Sequence, residues 1–388
     1  MAQDTYTEVT KQSWGSRLGG SFKGILFGVV LMAIATVLLF WNEGRAVRRT
    51  KTLTEGAGSV ISIAAGPIDP ANDGRLVHLS GQTQTSDVLR DASFGVAVTA
   101  VHLRRNVEMY QWREHESSTT EKKLGGSTET TSTYSYEKAW SASVNNSNNF
   151  KVPGGHENPN QMPYKGTTTS ASNVFLGPFR LSSGLVNSMS RFEPLQIDSL
   201  SNLPGDLRWK ARLANGGIYI GRSPQAPEVG DLRVSFEVVR PATVSVVAQQ
   251  AGGRLEPYKT SKGGTIELLS HGVVPADGMF EAAQKANRVT SWIFRLLGFL
   301  LMSFGLKRIF KPLSVLADVV PAIGRVMEAS TGFVAYLLAA FLSLIIVAVS
   351  WLYHRPVLAV TLLILAGAVL VFSGLAIVRI VKTNSARA

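Results

Sequence analysis

The residues most able to do chemistry are few and scattered. Six histidines stand at His78, His102, His115, His156, His271 and His354. A helical metal site needs histidines about four residues apart on one face, and no two of these are so spaced. Cysteine is absent, which removes thiol nucleophiles, disulfides and thiolate metal sites. Glycine pairs begin at Gly125, Gly154, Gly216, Gly252 and Gly263. None lies in a phosphate-binding run ending in Lys-Ser or Lys-Thr, so they read as turns. No G-x-S-x-G nucleophile elbow occurs. Glu108, Glu114 and Glu137 could converge across a hairpin as an acid–base set, although carboxylates so placed usually serve as cross-strand surface charge. The basic and aromatic run "LRRNVEMYQWRE" alternates like a half-buried strand, which takes precedence over a nucleic-acid surface. The sequence therefore predicts no catalytic residues, no cofactor, no metal and no nucleic-acid partner, and the chain is read as not an enzyme.

Two further sets belong to membrane chemistry. Arg295 lies inside the apolar run "TSWIFRLLGFLLMSFGL". A charge at bilayer depth is a functional candidate by default, but Trp292 is only three residues away, so Arg295 is expected to snorkel to the headgroups. Gly20, Gly24 and Gly28 form overlapping G-x-x-x-G steps, a face that lets helix backbones approach and self-associate. Trp41, Arg45, Arg48, Arg49, Trp292, Arg295, Trp351 and Arg355 sit at span ends, where aromatic rings and cations anchor to the lipid–water interface.

These residues must be positioned by an α+β membrane protein. Only 17% of the residues are charged and 45% are hydrophobic, and the charge deficit is concentrated at the chain ends. Four runs approach the roughly 20 residues that a bilayer requires. We read a tail at 1–21, a first span at 22–41, and a large β-rich extramembrane domain at 42–276. Next come a helix over 277–306 that contains the second span and an amphipathic interfacial segment at 307–331, kinked at Pro321. Third and fourth spans at 332–353 and 357–378 and a tail at 379–388 complete the chain. No small-x-small cleavage site follows the first span, so it is read as a retained anchor. The net charge of +12 fits lipid anchoring, since juxtamembrane cations gain about 1 kcal/mol each near anionic lipid.

The side of the membrane follows from cations. One face would collect Lys11, Arg17, Lys23, Lys307, Arg308, Lys311, Arg325, Arg379, Lys382 and Arg387. The other has Arg45, Arg48, Arg49, Lys51, Lys285, Arg288 and Arg355. The majority face is read as cytoplasmic, with both termini on it, and residues 42–276 as lumenal or periplasmic. Within that domain, "NVEMYQW" and the stretch from Thr128 to Trp140 alternate with period 2 around Gly125-Gly126, a long hairpin with a polar tip. "DLRVSFEVV" and "TVSVVAQQ" begin a second meander. Earlier strands are expected at 59–64, 76–82 and 96–104, and a short helix at 181–192.

Several segments together carry a family resemblance. "NEGRA" (42–46), "GRLVHLSG" (74–81), "LRRNVEMYQW" (103–112), "YSYEKAW" (134–140), "GHENP" (155–159), "LSSGL" (181–185) and "PEVGDLRVSF" (227–236) resemble the LUMA family, also called transmembrane protein 43. The likeness covers nearly the whole chain. It implies four spans, a large lumenal domain and self-association. In eukaryotic members it implies residence in the endoplasmic reticulum and inner nuclear membrane, with emerin and lamins as partners. The missing cysteines and different tails depart from the eukaryotic pattern and point to a bacterial member in an inner membrane, where those partners would be absent. The expected function is a non-enzymatic scaffold, homo-oligomeric, that organises the membrane and presents its β-rich domain to protein partners. The alternatives are an oligomeric channel or transport accessory and an enzyme acting on envelope substrates.

Overall fold

The computed structural model describes residues 4–352, 360–361, 364–365, 367–369 and 371–374. They divide into two compact units. The first is built from Met1–Thr7, Thr52–Ser117 and Thr133–Ala283, the second from Glu8–Lys51, Ser118–Ser132 and Gln284–Ala388.

The first unit is β-rich. One eight-stranded sheet runs in the order Thr5–Gln12, Thr128–Ser141, His102–Lys122, Leu232–Val239, Gly217–Ile220, Ala211–Ala214, and off that path the short strands Thr167–Ser170 and Glu193–Leu195 pair with His102–Lys122 and Leu232–Val239. Alternation dictates its faces. In "LRVSFEVV", Leu232, Val234, Phe236 and Val238 are buried while Arg233 and Ser235 are exposed, as period 2 requires. Val234 pairs with Val107 and Leu232 with Met109. The second sheet centres on Thr243–Ala251, flanked by Leu76–Thr85 and Leu268–His271. Val246 opposes Leu79 there, and both side chains enter one core with Phe94, Phe179 and Phe236. A smaller cluster gathers Leu53, Leu76, Val247, Ile266, Met279 and Phe280. A Cβ on Gly56 would lie 2.1 Å from the Ile266 Cδ1 and 3.0 Å from the Phe280 ring, so a larger residue there would have to displace both side chains.

Among the described residues three helices are long and apolar enough to cross a membrane: Trp14–Ser59, Ala276–Ala317 and Val326–Trp351. The fourth span expected at 357–378 lies largely outside the described residues, as does the tail at 379–388.

The structure departs from the sequence reading at several boundaries. The first helix does not end at Trp41 but continues to Ser59. Beyond Trp41, Asn42, Glu43, Val47, Thr52 and Leu53 are all buried, so a helical stripe persists after the lipid-facing run stops. The second long helix reaches Ala317, with Pro312 inside it. Pro321 starts the third helix rather than kinking one, since a proline at the first helical position gives up no hydrogen bond. The region read as a tail at 1–21 holds the strand Thr5–Gln12 at the edge of the large sheet. Its pattern "TYTEVTKQ" is period 2, and its polarity hid it.

Candidate functional site

The second unit is a helix bundle whose small residues set the spacing. Its core holds Ala35, Met302, Leu306, Ala335 and Ala339. A Cβ on Gly28 would stand 2.6 Å from the Gly305 carbonyl oxygen, and one on Gly305 would stand 2.8 Å from that of Gly28. The two backbones therefore touch, which only glycine allows. The predicted association face is thus partly used within the chain. Gly28 packs against the second long helix, Gly24 meets only the Arg308 side chain at 4.0 Å, and a Cβ on Gly20 would meet nothing.

Near Trp41 the bundle contains a buried polar seam. Glu43 is 1% exposed. Arg295 grips it twice, Nε to Oε1 at 2.7 Å and Nη2 to Oε2 at 2.9 Å. The Trp351 indole nitrogen donates to the same carboxylate. The Arg295 guanidinium also lies over Trp292 at 4.8 Å and Trp351 at 5.2 Å. Beside this pair, the Asn42 amide donates to the Ser291 carbonyl at 3.2 Å. Arg45 donates to Asn42 and to Asn287, each at 3.2 Å. Asn287 in turn donates to the Ala46 carbonyl at 3.0 Å and to the Thr50 hydroxyl at 3.2 Å. Asn287, Ser291 and Arg295 recur every four residues, and so do Asn42, Ala46 and Thr50. Each triplet forms one helical face, so two polar stripes meet. Breaking a buried ion pair by removing one partner typically costs about 3–5 kcal/mol.

This revises the expected role of Arg295. Its side chain is turned into the bundle by a carboxylate 252 positions earlier. Sequence reasoning missed Glu43. The four-residue repeats on the two helices point to Asn42 and Arg295, but Glu43 itself lies outside them. Of the other anchors, Trp41 is 48% and Trp292 67% exposed, and Trp41 meets Phe294 edge-on at 5.7 Å. Arg48 is exposed and Arg49 half-buried. Arg355 lies outside the described residues.

A second buried carboxylate occupies the end of the bundle near Trp14. Asp318 is 1% exposed and accepts from Arg17 at 2.5 Å and Lys122 at 2.9 Å. Lys122 also reaches Glu328 at 2.7 Å. Burial works to lower the Lys122 ammonium, but its bonds to Asp318 and Glu328 outweigh this and raise it above the ordinary lysine range. Trp14 donates to the Val315 carbonyl at 2.8 Å, and the Gly125 amide to that of Val319 at 3.1 Å. The hairpin tip thus joins the end of the first helix that carries the N-terminal cations. Trp14 and Asn42 are 28 residues apart on that helix, about 42 Å at 1.5 Å per residue.

In the β unit, Asp4 accepts from His156 Nε2 at 2.9 Å, and its carbonyl accepts from the Tyr136 amide at 3.2 Å. Residues 4–7 therefore pack with the β body. The histidine ring is stacked 3.9 Å from Tyr136. Burial, and then the bond to Glu114, pushes the Tyr136 phenol up to about 12, so it donates to Glu114 at 2.8 Å as a neutral group. The carboxylates proposed to converge do not. Glu108 pairs with Arg233 at 2.5 Å, Glu114 with Tyr136, and Glu137 with Arg113 at 3.9 Å. Among the described residues no group of three potential metal ligands is assembled.

A family model described as Transmembrane protein 43 matches residues 109–356. Transmembrane protein 43 of Rattus norvegicus is 36% identical over 357 residues, covering 89% of this chain and 88% of the relative. That of Homo sapiens is 35% identical over 366 residues, covering 92% and 90%. The Transmembrane protein 43 homolog of Drosophila melanogaster is 34% identical over 354 residues, covering 88% and 92%. No solved structure matches.

Proposed function

The chain belongs to the transmembrane protein 43 (LUMA) family and is an integral membrane protein, and we propose that it acts as a non-enzymatic scaffold that self-associates and presents its β unit to protein partners. The observation that supports this reading is how the buried charges are used. Glu43, Arg295 and Asp318 are each committed to fixing one helix or hairpin against another. A carboxylate held by two nitrogens and an indole is a structural clamp, not a group waiting for a substrate. Helices locked this way suit a body that holds partners in place.

In this proposal Gly20 and Gly24 provide the face for a second copy, since Gly28 is already covered. The β unit faces the lumen or periplasm and the C-terminal residues the cytoplasm. In a eukaryotic host the partners would be emerin and lamins, as the family resemblance implies. In a bacterial host they would be other envelope proteins.

Two experiments test the reading. Crosslinking in native membranes, followed by mass measurement, is expected to give oligomers that the double variant Gly20→Ile/Gly24→Ile dissociates. A strict monomer would refute the scaffold as proposed. Because the chain has no native cysteine, single cysteines at Ser188 and Ser385 can be labelled with an impermeant thiol reagent. They are expected to react from opposite faces of sealed membranes. Reaction of both from one face would overturn this orientation.

A further inference from the structure

The second unit contains a cavity of about 500 Å³, lined by Leu39, Trp292, Arg295, Phe299, Ser343 and Trp351 among others. Its volume lies within the usual range of small-molecule pockets. It opens between the segments that are long and apolar enough to cross a bilayer, so the surrounding solvent is lipid. One observation inside it is unexplained. Ser343 is 9% exposed, and its hydroxyl has no hydrogen-bond partner. A buried hydroxyl without a partner is uncommon and calls for one.

We propose that the cavity holds an uncharged membrane lipid with a small hydroxyl or carbonyl head, of the diacylglycerol type, whose oxygen bonds to Ser343. Three features select that class. The lining is otherwise dominated by aliphatic and aromatic side chains. The cation among its described lining residues, Arg295, is neutralised by Glu43 through two hydrogen bonds, so it offers no net charge to a phosphate. The polar partner is also set deep. Ser343 lies eight residues from Trp351 on one helix, about 12 Å by helical rise. Trp351 and Trp292 mark the headgroup level. A phospholipid with its phosphate there would present only methylenes to Ser343. A neutral lipid, with no bulky head to keep at the surface, can sink far enough to meet it.

The test uses the full chain reconstituted in phosphatidylcholine vesicles. A diazirine-bearing diacylglycerol and a diazirine-bearing phosphatidylglycerol are added in parallel at equal mole fraction, and adducts are mapped by mass spectrometry. The diacylglycerol probe is expected to label Leu344 and Val347, and the phosphatidylglycerol probe far less. Ala340→Phe, which fills the cavity, should abolish the labelling. Ser343→Ala should reduce it about fivefold, the worth of one ordinary hydrogen bond. Leu26→Phe, on an exposed part of the first helix, should leave it unchanged. Equal labelling by both probes would mean ordinary contact with bilayer chains and would overturn the proposal. So would labelling that survives Ala340→Phe, or none at all. If Ala340→Phe fails to fold, an unaltered signal in Ser343→Ala is sufficient to reject it.

Discussion

The strand Leu232–Val239 and the helix segment from Phe22 to Glu43 sort their residues in opposite ways. In the strand, Leu232, Val234 and Phe236 are 1–2% exposed, and the polar residues between them face outward. On the helix, Leu26 is 73% and Val37 68% exposed, while Asn42 is fully buried and Glu43 is 1% exposed. The first order belongs to a body folded in water. The second belongs to a bundle surrounded by hydrocarbon, where apolar side chains have no reason to hide and polar groups must pair with one another. The difference shows that burial in this molecule reports the local solvent as well as the fold.

The comparison can be broken by exchanging the two kinds of deletion. The largest effect is expected at the ion pair. Glu43→Ala or Arg295→Ala should destabilise the bundle by about 3–5 kcal/mol, measured by unfolding titration in lipid nanodiscs. The double variant Glu43→Leu/Arg295→Leu should recover most of that loss, because no unpaired charge remains. Truncation in the β core should cost about as much, roughly 3–5 kcal/mol for Phe236→Ala, whereas Phe27→Ala on the 55% exposed helix surface should change stability by less than about 0.5 kcal/mol. A large loss at Phe27 would mean that this face packs against protein.

A smaller effect is expected at the helix crossing. Gly28→Leu forces apart backbones that are in contact and should cost about 1–3 kcal/mol, while Gly20→Leu should be nearly neutral for the monomer. The smallest concerns acid. The amide of Asn106 and, against the opposing effect of burial, the guanidinium of Arg104 hold the Glu237 carboxyl below the usual glutamate range. A depressed carboxylate contributes stability that is complete above its unfolded value, about 4.3, and is lost as pH falls through the folded value. Acid titration of Glu237→Gln, followed by circular dichroism, should therefore give a shallower loss of β structure below that pH than the parent chain.

Much of the β unit was legible in the sequence because period 2 survives wherever one face is wet and the other dry. The hairpin around Gly125-Gly126 and the strand Leu232–Val239 follow from their alternation alone, and both glycines adopt the positive φ a tight turn needs, 81° and 77°. Thr5–Gln12 escaped because both faces of its pattern are polar, with Val9 its one aliphatic residue. The seam between the long helices escaped for a different reason. Asn42, Ala46 and Thr50 repeat at helical spacing, but a span is usually read by its apolar content, and the helix was taken to stop where that content ended. Asp318 gave no local sign at all, since its partners Arg17 and Lys122 lie 301 and 196 positions away.

The most direct test of the account is solvent accessibility along the first helix. Nitroxides attached to single cysteines at Leu26 and Val37, in vesicles, should relax strongly with dissolved oxygen and weakly with a water-soluble nickel complex. A nitroxide at exposed Ser188 of the β unit should show the reverse. Strong relaxation by the nickel complex at Leu26 and Val37 would place that surface in water and contradict the lipid-embedded bundle.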